Sequence, residues 1–166
     1  MKLIPSAIKG KDDPSLRKVL VVSPQPFFEE RGTPIAVRDV CLALVELGFG
    51  VDLLTLPVGS PVSIPGVNII RVENPFGVDS IPIGFSKHKL VFGLLIWRKL
   101  RDLVKQNNYY RIHAVEEAVF LAQMTPRIRK EAVIYDMASS LAQHFKPGLV
   151  NAALSKLEST TLRRIG

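Results

Sequence analysis

The sequence predicts an α/β fold in which a parallel β-sheet carries helices on both faces. Two apolar runs rich in β-branched residues, "KVLVVSP" at 18–24 and "VDLLTLP" at 51–57, are typical of strands. Between them, residues 33–47 show helical periodicity, and strand and helix patterns keep alternating to residue 137. Because right-handed crossovers place the connecting helices on the faces of a sheet, this alternation indicates parallel strands.

The first strand–helix–strand unit is defined by local signals. Thr33 is the predicted N-cap of the helix, and Pro34 suits its first turn because a proline has no amide hydrogen to leave unpaired. Gly48 follows the last periodic residue, as is common at helix C-termini. The helix is amphipathic, with apolar residues at spacings of three and four: Val37, Val40, Cys41, Leu44 and Leu47.

The later elements follow from the same rules. Ser86 is a predicted N-cap for a long helix that runs to Gln106, and residues 73–86 before it form a loop. Three further strands are predicted at 67–72, 109–115 and 131–137, with helices at 116–124 and 148–164.

Composition indicates one globular domain of a reducing compartment. The chain has 166 residues, of which 47% are hydrophobic and 22% charged, and Cys41 has no partner for a disulfide. Prolines and charges interrupt the start of the chain, so we expect a flexible segment over 1–16 and one domain over 17–166. The longest apolar run, residues 90–97, is far shorter than the ~20 residues of a membrane-spanning helix. We therefore expect a cytoplasmic protein.

The net charge of +7 favours anionic partners such as phosphorylated metabolites or acidic lipid headgroups. No zinc finger or aromatic-and-basic RNA-binding signature is present, so nucleic acid is not an expected partner. The helix "KHKLVFGLLIWRKLRDLVK" at 87–105 joins apolar and basic residues and leaves two alternatives open. It either covers the sheet and presents a solvated basic side, or attaches the protein peripherally to the inner face of an anionic membrane.

Parallel sheets bind ligands beyond the carboxyl ends of their strands, which directs attention to three loops. In the first, Gly32 allows either a close backbone approach or a positive φ, and the first amides of the following helix carry partial positive charge. An anion would suit this position, with Arg38 as added charge. The alternative is that "GTP" at 32–34 is simply a well-formed turn.

The other two loops carry carboxylates. His113, Glu116 and Glu117 lie where the predicted strand 109–115 gives way to a helix, and Asp136 and Ser139 follow the next strand. The carboxylates could accept hydrogen bonds from substrate hydroxyls, but acidic residues in a first helical turn and short polar residues in a loop also serve purely structural ends. The spacing of ligating residues does not support a metal site.

Four stretches together resemble the N-terminal domain of family-4-type glycosyltransferases, which have the GT-B architecture. They are "PFFEERGTPIAVRDVCLALVELGFGVDLLT", "IHAVEEAVFLA", "VIYDMASSL" and "LSKLESTTLRRIG". The resemblance covers residues 18–166 and rests on order and spacing. It implies a Rossmann-like domain on the acceptor side of a cleft, and a retaining transfer of a sugar from a nucleotide-sugar donor to a hydroxyl acceptor. It implies no catalytic metal and no cofactor besides the donor.

The resemblance also implies roles for the three loops and a missing counterpart. It places Gly32 and Thr33 near the donor's sugar and phosphates, and it places Glu116 and Glu117 near acceptor or sugar groups. The loop of Asp136 and Ser139 would meet them in the same cleft. The sequence departs from the family pattern at Ala138 and Val115, where the family often has histidines. The donor-binding half has no counterpart in this chain, so we expect it to need that half, or a partner subunit, for turnover. A non-catalytic module that docks on a partner or a membrane is the alternative.

Overall fold

The computed structural model describes residues 17–81, 87–129 and 132–137, together with residues 152, 155, 156 and 159–163. The expected flexible segment at 1–16, the predicted cap Ser86, and Ala138 and Ser139 lie outside the described residues, as does much of the predicted helix at 148–164. The residues described within that helix, such as 159–163, are helical.

Eight elements lie within the described ranges up to residue 137, and their types match the sequence patterns. The strands are β1 (Lys18–Ser23), β2 (Gly50–Thr55), β3 (Val67–Arg71), β4 (Tyr109–Val115) and β5 (Val133–Asp136). The helices are α1 (Gly32–Glu46), α2 (Lys87–Gln106) and α3 (Ala118–Gln123).

The five strands form one parallel sheet in the order β3-β2-β1-β4-β5. The central strand β1 pairs with β2 on one side and with β4 on the other, so that Val22 lies between Leu54 and Ala114. The protein therefore has a Rossmann-like α/β fold. It is a single domain. The chain begins the sheet at the central strand β1, adds β2 and β3 on one side, and then adds β4 and β5 on the other.

Alternation along β1 divides the core into two layers, one on each face of the sheet. Val19 and Val21 pack on the face covered by α1, against Val37 and Cys41. Leu20 and Val22 point to the opposite face, where α2 and α3 supply the cover. Burial raises the pKa of the Cys41 thiol to about 12, so this cysteine behaves as a small apolar core residue. Among the described residues, no helix has the length and apolar character to cross a membrane.

The start of α1 differs from the prediction. Thr33 is not the N-cap: Arg31 occupies that position in an extended conformation, with φ −149° and ψ 165°, and no side chain caps the helix. The Arg31 carbonyl accepts the first intrahelical bond, from the Ile35 amide at 3.1 Å. Gly32 and Thr33 are therefore the first two helical residues, and Pro34 follows them. At the other end, Leu47 is 65% exposed and does not join the buried stripe.

The loop after β1 is held by the loop after β2. The Phe27 amide donates to the Val58 carbonyl at 3.0 Å, and the Phe28 and Ser60 backbones bond to each other in both directions. Gly59 lies at the closest approach with φ +110°, and a Cβ there would lie 2.6 Å from the Phe27 backbone. Only glycine fits this position, because a side chain would be both strained and blocked.

A buried carboxylate organises the opposite, amino edge of the sheet. Asp52 is 1% exposed and accepts hydrogen bonds from Tyr109 and Asn68, and Lys18 Nζ lies 2.8 Å from it. Burial alone would raise the pKa of Asp52, but the hydrogen bonds and the Lys18 charge outweigh burial and lower it below the ordinary value of 3.8. Burial and the Asp52 contact raise the pKa of Tyr109. This edge is a self-contained structural network.

Replacing Gly59 tests the contact between the two loops. Gly59→Ala is expected to lower the free energy of unfolding by about 1–3 kcal/mol, because a Cβ forces both a disfavoured φ and a backbone clash. Urea denaturation measures the change. Gly93→Ala is the matched control, since nothing lies within 4 Å of its Cβ position inside α2, and it should be stabilised by about 1 kcal/mol. Equal effects at the two positions would contradict the loop contact.

The Asp52 network predicts a pH dependence with a definite sign. A carboxyl whose pKa is lowered by folding contributes stability above its unfolded value of 3.8, and that contribution is lost as the pH falls. Asp52→Asn should therefore cost about 1–3 kcal/mol at neutral pH, with a difference from the wild type that shrinks below about pH 4. Denaturation of both proteins across this range measures it. Asp39→Asn, which alters an exposed pair with Arg38, should change stability by less than about 0.5 kcal/mol at either pH.

Candidate functional site

The candidate site lies where the chain direction reverses across the sheet, between the carboxyl ends of β1 and β4. From β1 the chain proceeds outward through β2 to β3, and from β4 it proceeds outward the other way to β5. The space between the loops that follow β1 and β4, called the crevice below, is the usual ligand position in open α/β sheets.

Gln25 joins the two sides of this crevice. Its carbonyl accepts a hydrogen bond from the Thr55 hydroxyl at 2.7 Å and another from the Leu56 amide at 3.4 Å, which fixes the loop after β1 to the end of β2. Its side-chain amide donates to Glu116 Oε2 at 2.5 Å, across to the loop after β4. One residue thus connects the carboxyl ends of three neighbouring strands.

Glu116 is held in an unusual backbone conformation. Its φ is 50°, in the left-handed region that residues other than glycine rarely adopt. Its amide donates to the Asp136 carbonyl at 2.9 Å, and its own carbonyl accepts from the Val119 amide at 3.3 Å as α3 begins. These two backbone hydrogen bonds hold Glu116 in this conformation. Its carboxylate is directed toward Gln25 and accepts a hydrogen bond from it. Strain of this kind concentrates at functional sites.

A histidine and a carboxylate extend the network to β5. His113 Nε2 lies 3.0 Å from Asp136 Oδ2, and both side chains are largely shielded from solvent. They meet because β4 and β5 are adjacent and in register, with Val115 opposite Asp136. Asp136 thus joins the network twice, through its carbonyl to Glu116 and through its carboxylate to His113.

The amino end of α1 lies on the same edge of the sheet, because α1 follows the carboxyl end of β1. The amides of Gly32 and Thr33 have no intrahelical acceptor, and the macrodipole makes this end partly positive. Gly32 is not at a positive φ, and nothing lies within 4 Å of its Cβ position. Of the two reasons considered for a glycine here, a positive φ is excluded, and the space beside the backbone is open.

Arg38 is not part of the hydrogen bonds that join Gln25, Glu116, Asp136 and His113, and Glu117 follows Glu116 directly in the chain. The Arg38 guanidinium donates twice to Asp39 Oδ1, at 3.0 and 3.1 Å, and lies 5.5 Å from the centre of the Phe28 ring. Glu117 immediately precedes α3 in a right-handed conformation, with φ −61°. The structure therefore brings His113, Glu116 and Asp136 together, and it places Gly32 and Thr33 on the same edge.

Three contributors were missed by sequence analysis. Gln25 and Thr55 carry the bonds described above, and Ser23, at the end of β1, has a buried hydroxyl with no hydrogen-bond partner in the described part of the chain. Each is a polar residue close to the carboxyl end of a predicted strand. That position could have identified all three as candidates, because ligands bind at this edge of a parallel sheet. A buried hydroxyl without a partner is uncommon in proteins and marks a place where a polar group could be accommodated.

The described part of the site offers hydrogen-bonding groups. No cluster of three or more potential metal-ligating residues occurs among the described residues. Carboxylate oxygens of Glu116 and Asp136 can accept from hydroxyls, and the Gln25 amide can donate. Two surface cavities of about 230 and 340 Å³ lie instead along α2.

No protein-family model and no curated protein matches this chain. Function is therefore inferred from the fold and from the geometry of the crevice.

The left-handed conformation of Glu116 leads to a test of the site's backbone. Glu116→Gly and Glu116→Ala both remove the carboxylate, but only glycine adopts φ 50° without strain, so the glycine variant should be more stable by about 1 kcal/mol. At Glu46, an exposed helical residue, the order should reverse, because glycine is the poorer helix former. Thermal denaturation of the four variants measures both differences. The same order at both positions would contradict the conformation of Glu116.

Proposed function

We propose that this domain is the acceptor-side half of a retaining glycosyltransferase, which transfers a sugar from a nucleotide-sugar donor to a hydroxyl acceptor. The observation that carries the proposal is the continuous hydrogen-bonded network of Gln25, Glu116, Asp136 and His113 at the reversal point of a Rossmann-like sheet. Its composition suits a polyhydroxylated ligand, since it presents carboxylates and an amide that are already oriented.

The two sides of the crevice suit the two kinds of group in such a reaction. One is the negatively charged phosphate of the leaving nucleotide, and the other is the hydroxyls of the acceptor or sugar. On one side, the Gly32 and Thr33 amides would donate to the phosphate oxygens of the leaving nucleotide, helped by the helix dipole. On the other side, Glu116 and Gln25 would hold acceptor or sugar hydroxyls. Stabilisation of the leaving phosphate by fixed dipoles, together with orientation of the acceptor, would supply most of the effect.

His113 and Asp136 would act by positioning. The 3.0 Å contact between His113 Nε2 and Asp136 Oδ2 would hold the Asp136 side chain beside the backbone that bonds to Glu116. The network therefore depends on His113 even though His113 itself need not contact the substrate.

The proposal assigns most donor contacts to a second domain or partner subunit, as the resemblance to GT-B enzymes implies. The isolated chain should accordingly bind its ligands weakly and should not turn over.

Titration of the chain with UDP-glucose and with methyl glucoside, followed by amide resonances in nuclear magnetic resonance, tests the proposal. UDP-glucose should shift the Gly32 and Thr33 amides, and the glucoside should shift Glu116, while Tyr109 at the amino edge should not respond. Gly32→Val should abolish the response at Thr33 with a stability change within about 0.5 kcal/mol, because its side chain enters open space that the donor would need. Gly93→Ala should respond as the wild type does.

Two results would contradict the proposal. One is a response confined to the amino edge, or no response at any concentration of either ligand. The other is release of nucleotide from UDP-glucose by the chain alone at a normal enzymatic rate, because half a cleft should not catalyse transfer.

A further inference from the structure

The outward face of α2 is divided into an apolar half and a basic half. The inward face packs into the core through Phe92, Ile96, Leu100 and Leu103. On the opposite side, the first half of the helix exposes Leu90, Val91 and Leu94, with Leu90 and Leu94 about 60% exposed. The helix thus covers the sheet, as one of the two alternatives from the sequence expects, but these three apolar residues do not take part in that cover.

The second half of the same outward face is basic. Arg98, Arg101 and Lys105 continue the stripe at spacings of three and four, and none of them forms a salt bridge within the described ranges. Their charges are therefore available to an anionic partner. The chain has a net charge of +7, and these three positive charges lie together on one face of a helix.

Aromatic residues border the apolar half. Trp97, the single tryptophan of the chain, is partly exposed, and the Arg101 guanidinium lies 4.8 Å from its ring centre. Phe76, from the loop after β3, is 43% exposed and contacts the His88 and Phe92 rings at the amino end of α2.

We propose that the outward face of α2 docks on the surface of an anionic lipid bilayer, with Leu90, Val91 and Leu94 inserted and Arg98, Arg101 and Lys105 against the headgroups. Charge complementarity favours an anionic lipid surface, because acidic headgroups attract clustered lysine and arginine side chains and the adjacent exposed leucines can enter the acyl boundary. An arrangement of apolar insertion, long basic side chains and a tryptophan at the boundary is typical of interfacial helices.

The docking would orient the site relative to the bilayer. Because α2 connects the carboxyl end of β3 to the amino end of β4, its apolar half lies at the carboxyl edge of the sheet. The crevice beside Glu116 opens on that same edge. If the proposed glycosyl transfer is correct, this orientation favours a lipid-linked acceptor; the docking itself does not rest on that function.

Cosedimentation of the whole chain with phosphatidylcholine vesicles, with and without phosphatidylglycerol, tests the docking. We expect binding to the anionic vesicles, weak binding to the neutral ones, and loss of binding at high salt. The Trp97 emission should shift to the blue on binding, because the indole enters the interface. Glycosyl transfer is not measured, so failure here and failure of the proposed function are distinguishable.

Matched variants separate this face from net charge and from general hydrophobicity. R98Q/R101Q/K105Q should weaken partition about a hundredfold, since each basic residue near an anionic surface contributes roughly fivefold. R129Q/K156Q/R163Q removes three exposed charges elsewhere and should have a much smaller effect. L90S/L94S should weaken partition by roughly tenfold or more, whereas L47S/L162S, also at exposed leucines, should not.

The proposal is overturned if the chain does not bind anionic vesicles, or if the Trp97 emission is unchanged on binding. It is equally overturned if the two triple variants lose binding to the same extent. Capture of a protein partner through α2 without lipid binding would assign the face to a protein interface instead. Far-ultraviolet circular dichroism of each variant establishes that it is folded.

Discussion

The hydrogen bond from Gln25 to Glu116 is the interaction on which the carboxyl edge depends, because it joins the loop after β1 to the loop after β4. Thr55 holds the carbonyl of Gln25, and the Asp136 carbonyl holds the amide of Glu116. The result is a chain of contacts from β2 to β5 that spans four adjacent strands. Each link orients a polar group of its neighbour, so the polar groups of the crevice are positioned collectively.

Further hydrogen bonds beneath the crevice order its loops, so positioning the polar groups costs little additional free energy. The loop after β1 is tied to the loop around Gly59, and the Arg71 guanidinium donates to the carbonyls of Val58, Gly59 and Ser60. Desolvation lowers the pKa of Arg71, yet a guanidinium stays charged, so these bonds remain charge-assisted. A ligand that enters the crevice would therefore meet loops that are already ordered, which reduces the entropy lost on binding.

The two edges of the sheet have different characters. At the amino edge, Asp52 is surrounded by donors, and the Arg17 and Arg111 guanidinium groups lie 4.4 and 4.2 Å from the centre of the Tyr110 ring. The carboxyl edge carries the left-handed Glu116, helix amides without intrahelical acceptors, and the Ser23 hydroxyl, which has no hydrogen-bond partner among the described residues. The proposed ligand site lies at this second edge.

The sequence by itself determined the elements, their order and a parallel sheet with helices on both faces. Hydrophobic periodicity, and the glycines and prolines that end helices and strands, are local properties of the chain. The bounds of β4 were predicted to the residue. The sequence also placed His113, Glu116 and Asp136 on one edge. Only the tertiary structure decided that Gln25 meets Glu116, since these residues are 91 positions apart and no local pattern encodes their contact. The tertiary structure also decided that Arg31, and not Thr33, is the N-cap of α1. It decided which leucines of α2 are exposed, because that depends on which side of the helix packs on the sheet.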